Sequence, residues 1–295
     1  MENDLCSRLP IDPVADFQPK YPRTGQPPTT PNRPAHLMWP RIALTGLGGG
    51  VFSGLAGIGG GTFMVPLMVS LLKVSQVVAH GTSLAIVVLT ALASLLGYTI
   101  SVQIDWTLVL VATVPSIATA PLGARSASAM PEVGLRRSFA GFLMVAALLL
   151  LLLADPEELF AFAGIYRYLV AVVIGLLAGF LSGLLGVGGG IFVVPTTVFF
   201  LSMEQRDAQA FALAMMIPTS VAGTIAHTRL GNVRWRWAVG IALFSVPTGL
   251  LFGTLAGGWI DQQILRYVFV ALLIYFSLRM FGTVPWLRKH VMRSG

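Results

Sequence analysis

The sequence predicts an all-α polytopic membrane protein made of two inverted-topology repeats, each a glycine-broken helical hairpin followed by three transmembrane helices. The first observation is composition: 55% of the 295 residues are hydrophobic and 11% are charged, whereas soluble domains average about 25% charged residues. The second is the length of the apolar blocks, since about 20 helical residues cross a hydrocarbon core of roughly 30 Å. The third is an internal repeat at a spacing of 129 residues.

The first 40 residues differ from the rest, because prolines stand among polar residues there without a periodic apolar face. We predict a disordered, Pro-rich tail over residues 1–40. The acidic start "MENDLCSRLP" is followed by no apolar core before Pro40, so it does not resemble a secretory signal. Cys6 is the single cysteine, which excludes an internal disulfide.

Two related halves follow the tail. "GGVFSGLAGIGGGTFMVP" (residues 49–66) aligns with "AGFLSGLLGVGGGIFVVP" (residues 178–195), and the same spacing places Thr90 on Thr219. We therefore predict a first membrane repeat over residues 41–160, a second over residues 161–284, and a basic cytoplasmic tail over residues 285–295.

Each repeat begins with an apolar segment interrupted by glycines, "GIGGG" at residues 57–61 and "GVGGG" at residues 186–190. In the first repeat about 15 residues precede the interruption and about 11 follow it, and neither piece spans comfortably at 1.5 Å per residue. The segment is therefore one broken span or a hairpin that returns to its starting side. Three uninterrupted apolar blocks follow it, at residues 77–98, 107–124 and 138–154.

The positions of basic residues favour the hairpin, because Lys and Arg collect on the cytoplasmic side of spans. A single crossing would place Arg125, Arg136 and Arg137 outside, whereas a hairpin places every basic cluster of the first repeat in the cytoplasm. A hairpin and three spans make an odd number of crossings, so we predict an inverted second repeat and two cytoplasmic termini. Arg167 and Arg266 are exceptions on the outer side.

The glycine interruptions form the predicted substrate site. Inverted repeats occur in secondary transporters, which bind substrate near the bilayer midplane at broken helices. A helix that starts at such a break directs free amide N–H groups and its positive dipole end towards an oxyanion. The predicted substrate-binding glycines are Gly59, Gly60, Gly61, Gly188, Gly189 and Gly190.

A second set of glycines recurs every four residues along the helix before each interruption. Such small-residue faces allow helices to pack closely. We predict packing for Gly46, Gly50, Gly54, Gly175, Gly179 and Gly183. Packing does not explain the consecutive glycines, since a packing face needs small residues one turn apart.

These motifs resemble the TauE/SafE family of membrane permeases. The resemblance rests on "GLAGIGGGTFMVPLM", "GLLGVGGGIFVVP", "HGTSLAIVVLTALAS" and "RLGNVRW", and it covers roughly residues 42–282. It implies export or uptake of sulfur-containing anions such as sulfite, sulfoacetate or other organosulfonates. The Pro-rich tail lies outside it.

Polar side chains inside apolar spans are costly, so each is a candidate for function. His80 begins its span beside Thr82 and Ser83, and its repeat partner is Gln209. Either His80 binds the anion or carries a proton, or it is simply hydrated near the cytoplasmic end, and the sequence leaves both interpretations open. These four residues belong to the predicted site.

Three further groups of polar residues are distinguished by position. Thr90 and Thr219 join the predicted site because they occupy equivalent repeat positions. The other hydroxyl residues of the spans are expected to hydrogen-bond between helices. His227 and Arg229 fall at the cytoplasmic boundary, where we expect contact with water or lipid headgroups.

The spans contain no Ser-His-Asp arrangement, no paired carboxylates and no cluster of metal ligands, so the sequence predicts no catalytic residues, metal or cofactor. The net charge of +7 comes from basic residues at the ends of apolar blocks. That distribution indicates membrane orientation and not a nucleic-acid partner. The expected partners are a small anionic substrate and membrane lipid, and a homodimer is allowed without a sequence signature.

The predicted function is secondary transport of a small sulfur-containing anion by alternating access. The predicted location is the inner or plasma membrane. A non-transporting membrane scaffold is the alternative, and an intramembrane enzyme is less favoured.

Overall fold

The computed structural model describes residues 35–127, 132–152, 162 and 164–280. Within this part of the chain every regular element is a helix. The helices are α1 Ala35–Ala56, α2 Gly61–Leu67 with a π-helical extension Met68–Leu72, α3 Gln76–Tyr98, α4 Trp106–Ser126, α5 Glu132–Leu152, α6 Ile165–Leu185, α7 Gly190–Leu201, α8 Gln205–Arg229, α9 Trp235–Thr254 with a π-helical extension Leu255–Trp259, and α10 Gln262–Met280.

The prediction of an all-α polytopic membrane protein is confirmed. Among the described residues, α3, α4, α6, α8 and α9 with its extension are long and apolar enough to cross a membrane. The first arm of each hairpin is longer than the sequence suggests. These arms are α1, with 22 residues, and α6, with 21 residues. α1 begins at Ala35, so the boundary drawn at residue 41 lies inside a helix. Pro40 in its second turn removes a single backbone donor and does not end it.

The chain from α1 to α2 reverses direction and forms a hairpin. Gly48 lies directly against the ring of Phe63, and Gly60 lies against the carbonyl group of Gly49. At the open end of the hairpin, Nη1 of Arg41 donates to the carbonyl oxygen of Leu71 at 3.1 Å. The second arm therefore returns to the level at which the first begins.

α6 and α7 form a second hairpin of the same kind. A Cβ on Gly189 would lie 2.9 Å from the carbonyl oxygen of Ala178, so the turn folds back along α6. Arg167, near the start of α6, lines one cavity together with Ser202, which directly follows α7. Both arms of this hairpin therefore reach the same end of the bundle.

The glycines that recur every four residues pack each hairpin against the other half of the molecule. A Cβ on Gly50 of α1 would lie 2.5 Å from the carbonyl oxygen of Ser245 on α9, and Gly179 of α6 lies directly against Ser116 of α4. These two contacts are equivalent. Gly50 and Gly179 are 129 positions apart in the sequence, and so are Ser116 and Ser245. The predicted packing role is confirmed for Gly46, Gly50, Gly54, Gly175, Gly179 and Gly183.

The two ends of the bundle differ in charge. One end carries the connections α3–α4, α7–α8 and α9–α10. Arg206, at the start of α8, joins the last two by donating from Nη2 to the carbonyl oxygen of Ile260 at 2.6 Å. We call it the acidic end, because the acidic side chains that the structure describes all belong there: Asp105, Glu204, Asp207 and Asp261. The opposite, basic end carries Arg41, Lys73, Arg229, Arg234 and Arg236.

Candidate functional site

The two glycine turns meet in the interior of the bundle. A Cβ on Gly59 would lie 2.9 Å from the side chain of Val87, and one on Gly188 would lie 3.1 Å from the same atom. Both glycines also lie against the methyl group of Met216. Val87 on α3 and Met216 on α8 are themselves repeat partners. The two turns therefore make equivalent contacts, each with one residue of its own half and one residue of the other half.

Both turns need glycine because their backbone is left-handed. The φ angles are 64°, 68° and 73° at Gly57, Gly59 and Gly60, and 65°, 81° and 81° at Gly186, Gly188 and Gly189. Residues with a Cβ rarely adopt these angles. At Gly61 the space is tight instead, since its Cβ would lie 3.0 Å from the carbonyl oxygen of Gly186.

The starts of α2 and α7 point into this meeting place. Gly60 and Gly189 are the N-caps of these helices, and neither supplies a capping side chain. The carbonyl oxygen of Gly60 accepts from the amides of Phe63 and Met64, which leaves the first two amides of α2 without an intrahelical partner. Each helix start lies beside the turn of the other hairpin. Two positive helix ends therefore converge.

Buried polar atoms without hydrogen-bond partners surround the turns. They include Oγ1 of Thr62, Nδ1 of His80, Nε2 of Gln209 and Oγ of Ser220. Gln209 packs against Gly57, His80 packs against Gly186, and Oγ of Ser220 lies 3.5 Å from the Cβ position of Gly188. Leaving one such group unpaired costs about 1–3 kcal/mol, and native proteins rarely do so. The cluster is therefore a candidate ligand site.

The structure brings His80 and Gln209 to opposite sides of the crossed turns, as repeat partners. Ser83 lies on the same side as His80, because its hydroxyl lies 2.5 Å from the carbonyl oxygen of Gly186 and donates to that of His80 at 2.8 Å. Thr82 lies apart from them. Its hydroxyl oxygen accepts from the backbone amide of Arg234 at 3.1 Å, at the α8–α9 connection.

Thr90 and Thr219 are held by hydrogen bonds between helices. Oγ1 of Thr90 lies 2.7 Å from Oγ of Ser245, and Oγ1 of Thr219 lies 2.5 Å from Oγ of Ser116. Each threonine also donates to a carbonyl oxygen four residues earlier in its own helix. The sequence predicts this interhelical bonding for the other hydroxyl residues of the spans. The hydrogen bonds of Thr90 and Thr219 connect helices and do not reach the glycine turns.

Two site residues are missed by the sequence analysis. The hydroxyl of Tyr98 donates to Oε1 of Gln209 at 2.7 Å and lies 2.8 Å from the carbonyl oxygen of Gly54. His227 is fully buried, and its Nε2 lies 3.0 Å from the carbonyl oxygen of Gly183. The expectation that His227 contacts water or lipid headgroups is therefore wrong. The missed signal is the repeat itself, which aligns Tyr98 with His227.

A cavity of about 150 Å³ opens at the acidic end of the bundle. Asp105 and Arg167 form an ion pair of 3.7 Å beside it. Its lining reaches Phe211, two residues past the site residue Gln209 on α8: Gln103, Ile104, Asp105, Arg167, Ser202, Met203, Asp207 and Phe211. In the part of the chain that the structure describes, no three His, Cys, Asp or Glu side chains are grouped to hold a metal ion.

The two hairpins and the apolar spans define a multi-pass membrane protein. The comparison with known families assigns it to a family of membrane transporters. The model of the family "Sulfite exporter TauE/SafE" matches residues 15–150 and 171–294. The chain belongs to this family. No solved structure matches the chain.

Several curated proteins that are similar to this chain are named probable membrane transporters. "Probable membrane transporter protein YunE" of Bacillus subtilis is 27% identical over 75% of this chain and 88% of its own. "Probable membrane transporter protein YdhB" of the same species is 26% identical over 70% and 84%. A "Probable membrane transporter protein" of Haemophilus influenzae is 32% identical over 38% and 45%.

Proposed function

We propose that this transporter carries a small sulfur-containing oxyanion, such as sulfite, sulfoacetate or another organosulfonate, through a site between the two glycine turns. The observation that carries the proposal is the convergence of Gly61 and Gly190, the first residues of α2 and α7, where the turns cross. Free amides at a helix start favour a negatively charged oxygen. The family description supports the sulfur-containing class.

The side chains around the turns suit an anion that binds and leaves again. Nε2 of Gln209 is a free donor, and the hydroxyls of Thr62 and Ser220 can donate to an acceptor. The acidic side chains that the structure describes belong to the acidic end, and none of the atoms nearest to the turn glycines is a carboxylate oxygen. These three neutral groups can hydrogen-bond an oxyanion without a permanent opposite charge, which permits release.

The repeats are proposed to be inverted in the membrane. Equivalent contacts relate the two halves, and one hairpin followed by α3, α4 and α5 makes an odd number of crossings. The second half then begins on the opposite side of the bilayer. The rule that basic residues collect inside assigns the basic end to the cytoplasm, and with it both termini. The inner or plasma membrane is the proposed location.

Alternating access follows from the same symmetry. Gly57 contacts Gln209 near the acidic-end start of α8, whereas Gly186 contacts His80 near the basic-end start of α3. If one hairpin and the helix packed on it rock against the second hairpin and its helix, the contact between Gly57 and Gln209 would open as the contact between Gly186 and His80 closes. The cavity at the acidic end is the proposed approach from that side.

Lipid is the proposed partner of the outer helix faces. Leu110 and Val114 of α4 are 62% and 67% exposed, and their repeat partners Val239 and Leu243 of α9 are 66% and 65% exposed. Such matched apolar faces suit hydrocarbon. Both halves of the site come from one chain, so a homodimer would not be needed to complete it.

Reconstitution into liposomes tests the proposal. We expect the wild-type protein to move at least one of sulfite, sulfoacetate, taurine and sulfate. Gln209→Leu removes the free donor at the turn and should lower that flux about tenfold or more. Gln205→Leu is the matched control, because Gln205 is an equally buried glutamine one turn earlier on α8 with an unpartnered amide. Its flux should remain near the wild-type value.

Absence of flux and of binding across the whole panel, in a folded wild-type protein, would refute anion transport. A scaffold would then be the better interpretation, whereas chemical conversion of a panel compound would favour an intramembrane enzyme. Equal loss of flux in the two glutamine variants would show that Gln209 is not specific to the substrate.

A further inference from the structure

Tyr98 and Gln209 near the acidic end have repeat partners near the basic end, His227 and His80 respectively. We call Tyr98 with Gln209 the acidic-end pair and His227 with His80 the basic-end pair. In each pair, the residue at the end of α3 or α8 reaches an equivalent carbonyl oxygen, that of Gly54 or of Gly183. Each second residue packs against the turn of a hairpin. The pairs occupy the same position in the two halves.

The chemistry of the two pairs differs. Phenol and carboxamide groups do not change charge near neutral pH, whereas imidazole has an unperturbed pKa near 6.5. In the acidic-end pair the hydroxyl of Tyr98 bonds directly to Gln209. In the basic-end pair, Nδ1 of His80 is buried without a hydrogen-bond partner. His80 therefore presents a free proton acceptor beside the Gly186 turn.

Among the described residues, the ionisable groups around His80 are cationic or neutral. α8 contributes His227, which interacts electrostatically with His80 and has its Nδ1 3.5 Å from Nδ2 of Asn232. The α8–α9 connection contributes Arg234, whose amide bonds Thr82 two residues beyond His80. Elsewhere at the same end of the bundle, the α2–α3 connection carries Lys73 and α1 carries Arg41. A proton on His80 therefore has no carboxylate partner there, and a buried charge needs one.

We propose that the basic-end pair is a proton-binding site that is occupied together with the anion site, which rests on the proposed function. Nδ1 of His80 takes a proton from water at the basic end, forming an N–H bond. That N–H donates to an oxygen of the anion at the Gly186 turn. The anion supplies the missing opposite charge, and the proton offsets the charge of the anion. One proton then accompanies each anion through the protein.

Proteoliposomes loaded with a pH-sensitive dye test this coupling on the wild-type protein. Sulfoacetate is the probe, because its carboxylate and sulfonate both stay ionised between pH 6 and pH 8. We expect a sulfoacetate gradient to move protons with the anion, and flux to rise about fivefold or more from pH 8 to pH 6. Sulfoacetate flux without proton movement overturns the coupling and leaves the proposed function intact. No flux of any panel anion overturns the proposed function instead.

The repeat supplies the variant that isolates the basic-end pair. His80→Gln combined with His227→Tyr introduces the residues that the same fold accommodates at the acidic end. This double variant should still carry sulfoacetate, with its pH dependence reduced to less than about twofold and without proton movement. Tyr98→Phe is the control and should keep the wild-type pH dependence. If the double variant does not fold, the wild-type proton measurement decides alone; retained pH dependence in a folded double variant contradicts the site.

Discussion

The hydroxyl group of Tyr98 donates a hydrogen bond to Oε1 of Gln209 at 2.7 Å, although 111 residues separate them and they belong to different repeats. Gln209 in turn packs against Gly57, the first left-handed glycine of the first hairpin turn. This bond therefore ties α3, α8 and a hairpin turn together. It also holds the amide of Gln209 in one orientation beside the proposed anion site.

Removal of this hydroxyl should destabilise the protein. Tyr98→Phe leaves Oε1 of Gln209 without its donor in a fully buried position, which costs about 1–3 kcal/mol. Thermal unfolding in detergent should show a lower midpoint. Tyr275→Phe is the control, because that side chain is 48% exposed. Equal midpoints for the two variants would mean that the bond contributes nothing measurable.

Bulky residues in the glycine turns should abolish transport. Gly60→Val and Gly189→Val each place a β-branched side chain where φ is 73° or 81°, a conformation that costs about 1–3 kcal/mol for such residues. The new side chain would also lie against the backbone of the helix before the turn, at Gly49 of α1 for Gly60 and at Ala178 of α6 for Gly189. Anion flux in liposomes measures the effect.

Gly141→Val is the control for these two variants, since no atom lies within 4 Å of its Cβ position on α5. It should retain flux. Normal flux in both turn variants would show that the turns tolerate side chains and do not form a tight substrate site.

Thr90 should behave as a packing residue and not as a binding residue. Thr90→Val keeps the shape and breaks the 2.7 Å contact with Ser245. Interhelical bonds of this kind average about 0.6 kcal/mol, so unfolding should shift slightly while the substrate KM stays unchanged. Ser245→Ala should give the same result, and the double variant should add little. A tenfold rise in KM for Thr90→Val alone would return Thr90 to the substrate site.

Cysteine labelling should locate the two ends of the bundle. On a Cys6→Ser background, we expect Asp261→Cys to react with an impermeant maleimide from outside the cell. Arg236→Cys should react only after the membrane is opened. Both positions are exposed at the ends of described helices, so accessibility depends on membrane side. The opposite labelling pattern would reverse the proposed orientation and place the basic-end pair outside.

Local and periodic features are the ones that the sequence predicts correctly. The apolar blocks indicate membrane helices because hydrocarbon thickness demands a minimum length. The glycine clusters at residues 57–61 and 186–190 indicate broken segments because few other residues adopt left-handed angles. The spacing of Gly46, Gly50 and Gly54 indicates a packing face because the helix repeats every 3.6 residues.

The sequence by itself determined the membrane class, the repeat and the glycine turns, because each depends on neighbouring residues or on a fixed spacing. Only the tertiary structure decided which polar groups meet. Thr90 bonds Ser245 across 155 residues, and His227 is buried against Gly183 although it lies near a helix end. Such contacts depend on how one repeat packs against the other. That packing is set by surfaces far apart in the chain, which no local pattern records.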